Sequence, residues 1–496
     1  MYIGIDCGTQ GTKAIVWDPK RGVLGRSYHS YGIIQDGSGK QEQHPHWWFD
    51  ATRAAISAAL ADSKVDGLDI KALSISGQQH GLVVLDKHSK VIRPAKLWCD
   101  TQTTDALTRF EQQLLPNRFV DLIGIQVPVA FTIAKLAWLK ENEPTNFNQI
   151  SKILLPHDYL NYMFTGQYKC EAGDASGTGY FDTRSKHWNT EVLKVLGLPS
   201  SCELPELIES HQAHGQIKPT LAASLGLNPK LIIGSGGGDN MMAAIGSANV
   251  VPGMLTLSLG TSGTAYTFSN EQVSSANFPD INAFCSSNNA YLPLISTMNV
   301  TSATSKMNQL LDSSLTTFET NLRTTPIGSK GLVVFPYFIG ARLPNLPKAN
   351  GSIMGINDQN LNSACLQRAT VEAICFNLWH GIQLLIKSGL CISRATVIGG
   401  GANSAAWRQM VADICNLEVV SPLETELGAL GAAIQACWCS RLLQSEQVSL
   451  QDLCEQAVQL DPSKNAKPIH ENVEMYKGLY QQYQEMLHKH YLVNED

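Results

Sequence analysis

The chain has 496 residues, 44% of them hydrophobic and 16% charged, with 37 Lys+Arg against 43 Asp+Glu. A length of this order corresponds to two to four domains at roughly 100–200 residues each, and the apolar fraction excludes wholesale disorder. A net charge of −6 with no large basic block argues against a nucleic-acid partner, yet leaves room for a small phosphorylated ligand held by backbone N–H groups.

The first ten residues, MYIGIDCGTQ, lack the basic start, apolar stretch and cleavage site of a signal peptide. The longest apolar stretches, such as 230–233 and 331–338, fall far short of a membrane span. Twelve cysteines with no C-x-x-C pair predict reduced thiols in a cytoplasmic protein. Strands are predicted at 2–5, 12–17, 72–76 and 82–85, with a helix at 47–60 behind His44-Pro45. Further on, 231–234 reads as a buried strand, followed by a Gly-rich turn and a helix from Asn240 through Ala244. Leu366, Thr370, Ala373, Asn377, Gly381 and Leu385 keep helical spacing, and Gly389 supplies a stop. A strand at 395–398, a helix at 405–415, a strand at 418–421 and a helix at 427–438 complete the alternation of an α/β protein. The Ser-, Asn- and Thr-rich stretches 269–290 and 312–325 read as surface excursions or irregular elements. Tyr476, Leu479, Tyr480, Tyr483 and Leu487 predict a terminal helix within 473–492.

Gly8-Thr9-Gln10-Gly11-Thr12 recurs as Gly260-Thr261-Ser262-Gly263-Thr264, 252 residues later, and each copy follows a strand and precedes another apolar run. Half a chain apart, the echo predicts two domains of one topology, 1–248 and 249–496, near the Pro252-Gly253 punctuation.

A strand–Gly–Thr–x–Gly–Thr–strand hairpin can lay consecutive N–H groups around a phosphate, and two facing copies would clamp a polyphosphate; a plain β-hairpin has the same local pattern. Walker A fails because Gly39-Lys40 is followed by Gln41, and 234–239 does not complete G-x-G-x-x-G. Asp6, at the end of the first strand, stands where a hydrated Mg²⁺ would bridge protein and phosphate. Asp239, after three glycines, reads either as an N-cap or as the base that takes a proton from a hydroxyl attacking a phosphoryl group. Gln78-Gln79-His80, between Gly77 and Gly81, forms a polar tip suited to a polyol or a solvated turn. Trp98 and Asp100 could add an apolar wall and a hydroxyl acceptor. Gly399-Gly400-Gly401-Ala402-Asn403-Ser404, between a strand and a helix, could hold a nucleotide at a helix N-terminus, or be a tight turn capped by Asn403 or Ser404.

Together these segments, with Leu155-Pro156-His157-Asp158-Tyr159-Leu160, Trp407-Arg408-Gln409-Met410 and Glu426-Leu427-Gly428-Ala429-Leu430-Gly431, resemble the FGGY carbohydrate kinases in order from residue 4 to about 436. The resemblance implies an actin-like, ribonuclease H-like fold of two duplicated domains with an interdomain cleft. It implies ATP and Mg²⁺ as cofactors and phosphorylation of D-xylulose to xylulose 5-phosphate as the activity. By the same resemblance Asp239 is the catalytic base, and Asp6, with Asp239, holds Mg²⁺ partly through water. Gln79, His80, Trp98, Asp100, Asp239 and Asn240 would bind sugar. Gly8, Thr9, Gln10, Gly11, Thr12 and Lys13 would meet phosphate, and Gly260, Thr261, Gly400, Gly401 and Asn403 the nucleotide. The partners implied are the sugar and ATP, with no nucleic acid, no membrane, and a homodimer left open. The chain departs from the family's usual pattern at Ala341, where relatives carry Glu, and at Gln79, where relatives that phosphorylate xylulose most often carry Met. Alternatives are a sibling kinase for ribulose, gluconate or glycerol, and a regulator without turnover.

Overall fold

A computed structural model describes residues 1–492. Twelve strands of its two main sheets are, in chain order, β1 (Tyr2–Cys7), β2 (Gly11–Asp18), β3 (Gly22–Ser30), β4 (Ala72–Gly77), β5 (Ala213–Gln216), β6 (Ile232–Gly234), β7 (Gly237–Gly238), β8 (Gly253–Leu259), β9 (Gly263–Thr267), β10 (Tyr291–Thr297), β11 (Ile392–Ile398) and β12 (Glu418–Val420). The principal helices are α1 (Pro45–Ser63), α2 (Pro156–Thr165), α3 (Asp239–Gly246), α4 (Thr301–Leu310), α5 (Leu315–Thr324), α6 (Ser363–Lys387), α7 (Ala405–Cys415), α8 (Leu427–Leu443) and α9 (His470–Leu487).

The chain forms two compact units that interleave in sequence. The first comprises Met1–Val251, Phe268–Pro293 and Glu426–Val458; the second comprises Pro252–Thr267, Leu294–Thr425 and the described residues from Gln459 onward. The chain thus leaves the first unit three residues past the expected boundary and returns to it twice. Packing explains the second return, because α8 lies on β1 and β4 of the first sheet.

In the first unit the strand order is β5–β6–β4–β1–β2–β3, with β7 also pairing β4. β1 lies between antiparallel β2 and parallel β4, and Ile3, Ile5 and Cys7 are fully buried, as expected of a central strand with both faces covered. Gly4 lets α8 approach β1 backbone to backbone: a Cβ there would stand 1.8 Å from the Ala429 carbonyl oxygen. Gly431 does the same between α8 and α3, where the Met242 carbonyl oxygen lies 1.8 Å from the Cβ position.

In the second unit β10–β9–β8–β11–β12 follow one another, with two antiparallel and then two parallel pairings. β3–β2–β1–β4–β6 of the first unit has the same sequence of pairings. The five-residue echo falls at the same place in each sheet, the hairpin between β1 and β2 and that between β8 and β9. The registers differ by one residue: Cys7 pairs with Thr12, whereas Leu259 pairs with Gly263, so the second hairpin closes more tightly.

Three expectations from the sequence change. Residues 315–324 form a helix, because Ser314 caps it and Phe318 and Leu322 bury one face. The stretch 269–290 is not a mere surface excursion: it carries the strand Asn282–Cys285 and buries Phe284, Cys285 and Ser287 in the first unit. Among the described residues α6 is long and apolar enough to cross a membrane, and most of it is buried within the protein.

Candidate active site

The antiparallel register of β1 and β2 sets Asp6 opposite Lys13, and the parallel register of β1 and β4 sets Asp6 beside Ser76. The Ser76 hydroxyl donates to Asp6 Oδ1 at 2.8 Å. Lys13 Nζ lies 2.5 Å from Glu426 Oε2, at the head of α8. Two residues on, Gly428 faces the Asp6 carboxyl group so closely that a Cβ there would stand 2.8 Å from it. Burial lifts Asp6 above its ordinary carboxylate range, against the Ser76 bond and the Lys13 charge, while Glu426 adds to the rise. Burial alone would lower Lys13; its bond to Glu426 and the charges of Glu426 and Asp6 outweigh this and raise it.

The hairpin between these strands is braced from within. The Thr9 hydroxyl donates to Gln78 Oε1 at 3.0 Å and accepts from Trp98 Nε1 at 3.0 Å. Gln43 Nε2 donates to the Thr9 carbonyl at 2.8 Å, while Gln43 Oε1 accepts from Gln78 and Trp48. Trp98 is thus an anchor of the loop. Thr9 has its hydroxyl proton engaged, which leaves backbone N–H groups, those of Gly8 aside, as the loop's donors; Gly8 N–H already bonds to the Gly11 carbonyl at 3.1 Å. Thr12 is fully buried, so its hydroxyl is not exposed at the loop's surface.

Asp239 is the first residue of α3, and Gly238 is the N-cap, so the N-cap reading of Asp239 gives way. The chain reaches it through β7, whose Gly238 pairs with Gly77 at the end of β4. Asp239 Oδ1 accepts from the Asn240 backbone N–H at 2.8 Å and from Asn240 Nδ2 at 3.0 Å. Asn240 Nδ2 also donates to Gln79 Oε1 at 3.1 Å, and Gln79 Nε2 is buried without a partner. Burial, and after it the charge of Asp6, push the Asp239 carboxyl up to about 7, the range in which a general base works best at neutral pH.

The register thus brings Gln79, Asn240 and Asp239 together. His80 adopts φ 67°, stacks on Phe131 with ring centroids 4.8 Å apart, and lies 5.9 Å from Phe284. Its Nδ1 meets the Gly177 carbonyl at 3.0 Å; since a carbonyl only accepts, that nitrogen carries the hydrogen. Asp100 does not serve as a hydroxyl acceptor. It is fully buried, pairs with Lys96 at 2.9 Å, and accepts the Gln41 and Gln102 backbone N–H groups.

In the second unit Gly400, Gly401 and Asn403 line a cavity of about 730 Å³ together with Thr304, Asn308 and Trp407. Gly399, at φ 86°, lies directly against the Leu259 carbonyl at the foot of the second Gly–Thr hairpin. That hairpin is tied to α4: the Gly260 carbonyl accepts from Thr301 N–H at 2.9 Å and the Thr261 carbonyl from Val300 N–H at 3.2 Å. Ser404, not Asn403, caps α7, accepting from Trp407 N–H. Glu319 of α5 adds a second cap, accepting from Ala406 N–H at 3.0 Å and from the Ser404 hydroxyl at 2.5 Å. A carboxylate already occupies this helix N-terminus, so it repels phosphate, and the cavity suits the uncharged end of a nucleotide.

Among the described residues no group of three or more His, Cys, Asp or Glu side chains could hold a metal. Asp6 and Asp239 nonetheless fit Mg²⁺: they are two acidic groups, the charge of Asp6 raising the cost of charging Asp239, in the number Mg²⁺ uses when water and phosphate complete its shell. Phe131, Phe284, Ser76, Gly428, Glu426 and Glu319 escaped a functional reading from sequence. Glu426 and Gly428 had a signal in the Glu-Leu-Gly-Ala-Leu-Gly segment; Phe284 had none, because only the fold returns it to the first unit.

In the first unit, a strand-end carboxylate beside a Gly–Thr hairpin and a second acid at a helix start are groups of the kind phosphoryl transfer uses. The chain belongs to the FGGY family of carbohydrate kinases: the family's N-terminal domain matches residues 1–246 and its C-terminal domain residues 255–440. It is 42% identical over 492 residues to a xylulose kinase of Haemophilus influenzae, covering 97% of this chain and 98% of that one. Among solved structures it resembles a xyloylose kinase from Brucella ovis, with a TM-score of 0.91, 28% identity and 98% of both chains covered. It also resembles a gluconate kinase from Lactobacillus acidophilus, with a TM-score of 0.90, 25% identity, and 99% of this chain and 98% of that one covered. The two-domain α/β fold and the carbohydrate kinase class expected from the sequence both hold.

Proposed function

We propose that this chain transfers the γ-phosphoryl group of ATP to D-xylulose, forming xylulose 5-phosphate, in the cytoplasm. The observation that carries the catalytic reading is Asp239, lifted to about 7 and joined through Asn240 to Gln79 at the polar tip. The kinship with a xylulose kinase at 42% identity supports the choice of sugar.

Asp239 accepts the proton of the sugar hydroxyl as its oxygen bonds to the γ-phosphorus and the bond to the ADP oxygen breaks. Asn240 holds the Asp239 carboxyl in place, and Gln79 Nε2, buried without a protein partner, donates to a sugar oxygen. His80, fixed by Phe131 and Phe284, shapes the wall. Backbone N–H groups of Thr9 to Gly11 and the Lys13 ammonium receive phosphate, Lys13 exchanging Glu426 for it. Asp6 and Asp239 would hold Mg²⁺, which when bound neutralises phosphate charge.

Asp239→Asn is expected to abolish phosphorylation in a coupled ADP assay while leaving nucleotide affinity, measured by calorimetry, unchanged; near-normal kcat refutes the base assignment. A second reading, a sibling kinase for another sugar or sugar acid, draws on Gln79, because its amide adds a donor where relatives usually carry Met. In a substrate panel D-xylulose should give the highest kcat/KM; a lower rank than gluconate or ribulose overturns the xylulose assignment. Gln79→Met should raise the sugar KM about 5-fold, the worth of one hydrogen bond of ~1 kcal/mol, with the ATP KM unmoved. A regulator without turnover is disfavoured, because both Asp6 and Asp239 are in place.

A further inference from the structure

Beneath the polar tip lies a charged cluster to which the proposed chemistry gives no role. His157, at the start of α2, is fully buried, as are Asp158, Glu171 and Asp174. Its Nδ1 lies 2.6 Å from Asp174 Oδ2, and its Nε2 lies 3.1 Å from Asp158 Oδ1, an ion pair set off the hydrogen-bond line. Both ring nitrogens thus face carboxylates, Nδ1 in hydrogen-bond geometry with Asp174 and Nε2 in ion-pair contact with Asp158, a setting that favours the cation with hydrogen on both nitrogens. Burial works against that charge, but the charges of Asp158 and Asp174, the Asp174 bond and the charge of Glu171 outweigh it and raise His157 to about 9; the positive ring in turn helps hold buried His214 down.

His157 lies against two backbones that matter, Gly77 through its Cβ and main chain and Gly236 through its ring. A Cβ on Gly77 would stand 2.8 Å from His157 Cβ, and a Cβ on Gly236 would stand 2.8 Å from His157 Cδ2. Gly77 ends β4 and leads into Gln78, Gln79 and His80; Gly236 precedes β7, which leads into Asp239. The same cluster ties down the rest of that loop. Asn161, one helical turn along α2, donates to the Ser235 carbonyl at 2.8 Å. Glu171 accepts from the Ser210 hydroxyl, and the Ser210 carbonyl accepts from the Ser235 hydroxyl.

We propose that His157 is a positioning residue: as a buried imidazolium clamped between Asp158 and Asp174, it fixes the spacing of Gly77 and Gly236 and so holds the sugar-binding tip in register with Asp239. The inference rests on the reading of Gln79, His80 and Asp239 as the sugar end of the site. A buried cation flanked by two acids is costly to assemble and rigid once made, and small displacements of a base relative to its substrate cost up to about 100-fold in rate.

Selective ¹⁵N-histidine labelling of the whole protein tests the charge directly, with the His157 signal identified by its loss in His157→Asn. At pH 7.5 both ring nitrogens should show protonated shifts; a neutral ring overturns the proposal. In steady-state assays with the sugar the wild type uses best, His157→Gln should lower kcat about 10- to 100-fold and raise the sugar KM. It should leave the ATP KM within about 2-fold, and His157→Lys should recover most of the loss by restoring the cation. Unchanged kcat and sugar KM, or equal shifts in the sugar and ATP KM values, overturn the proposal. The NMR measurement needs neither turnover nor a folded variant beyond the assignment, so it decides for His157 even where the wild type phosphorylates no sugar in the panel, a result that fails the functional reading instead.

Discussion

His214 is buried completely, with Nδ1 on the Thr165 hydroxyl at 3.0 Å and Nε2 without a partner. Burial, and then the positive charge of His157, hold it down at about 3. A base whose folded value lies below its unfolded value of about 6.5 contributes its stability above pH 6.5 and loses it as pH falls towards 3. Between pH 6.5 and 4.5 the wild type should therefore lose about 2–3 kcal/mol more than His214→Gln in urea unfolding; equal losses in the two proteins would contradict this origin of acid sensitivity. The same local logic explains which of the proposed catalytic groups could be read from the chain. Asp6 follows an apolar strand and precedes a glycine, and Asp239 follows an apolar strand and a run of glycines, patterns each complete within ten residues. Phe284 and Glu319 owe their positions to contacts with His80 and Ser404, far away in sequence, and the Ser- and Thr-rich stretches around them carried no sign of it.

Helix α8 joins structure to chemistry. Its Ala429 carbonyl meets Gly4, its Gly428 meets the Asp6 carboxyl, and Gln435 accepts from Ser74 and bonds in both directions to Gly236. Gly428→Ala should push the Asp6 carboxyl aside and cut kcat at least about 10-fold with a normal circular-dichroism spectrum; an active variant would place Asp6 outside the reaction. Gly4→Ala meets backbone rather than a yielding side chain, so it should cost at least about 2 kcal/mol, read as a fall in thermal midpoint. The helix itself was legible from its apolar pattern, and α7 was read to the residue. What the pattern could not give was the partner of either helix. α5 was missed outright, because Thr316, Thr317, Thr320 and Thr324 disfavour a helix that Ser314 and the burial of Phe318 and Leu322 nevertheless stabilise.

The two units share one order of strand pairings, and the five-residue echo was a true pointer to it. Their boundaries were less legible, because a domain defined by contacts need not be a continuous run of chain. Residues 1–251 alone lack both later segments of the first unit, Phe268–Pro293 and Glu426–Val458. That fragment should show no cooperative melting transition and poorly dispersed amide resonances, and a sharp transition would show that α8 is dispensable to the sheet. The interleaving also sets a timetable. During synthesis β1 is made first, yet α8 is complete only when residue 443 has been added. At about 5–20 residues per second, the ribosome leaves the sheet uncovered for on the order of 10–40 s after residue 251. Throughout that wait the growing chain presents an unfinished apolar face to its neighbours, so the yield of active protein depends on how well the cell shields a nascent sheet that the last third of the message must close.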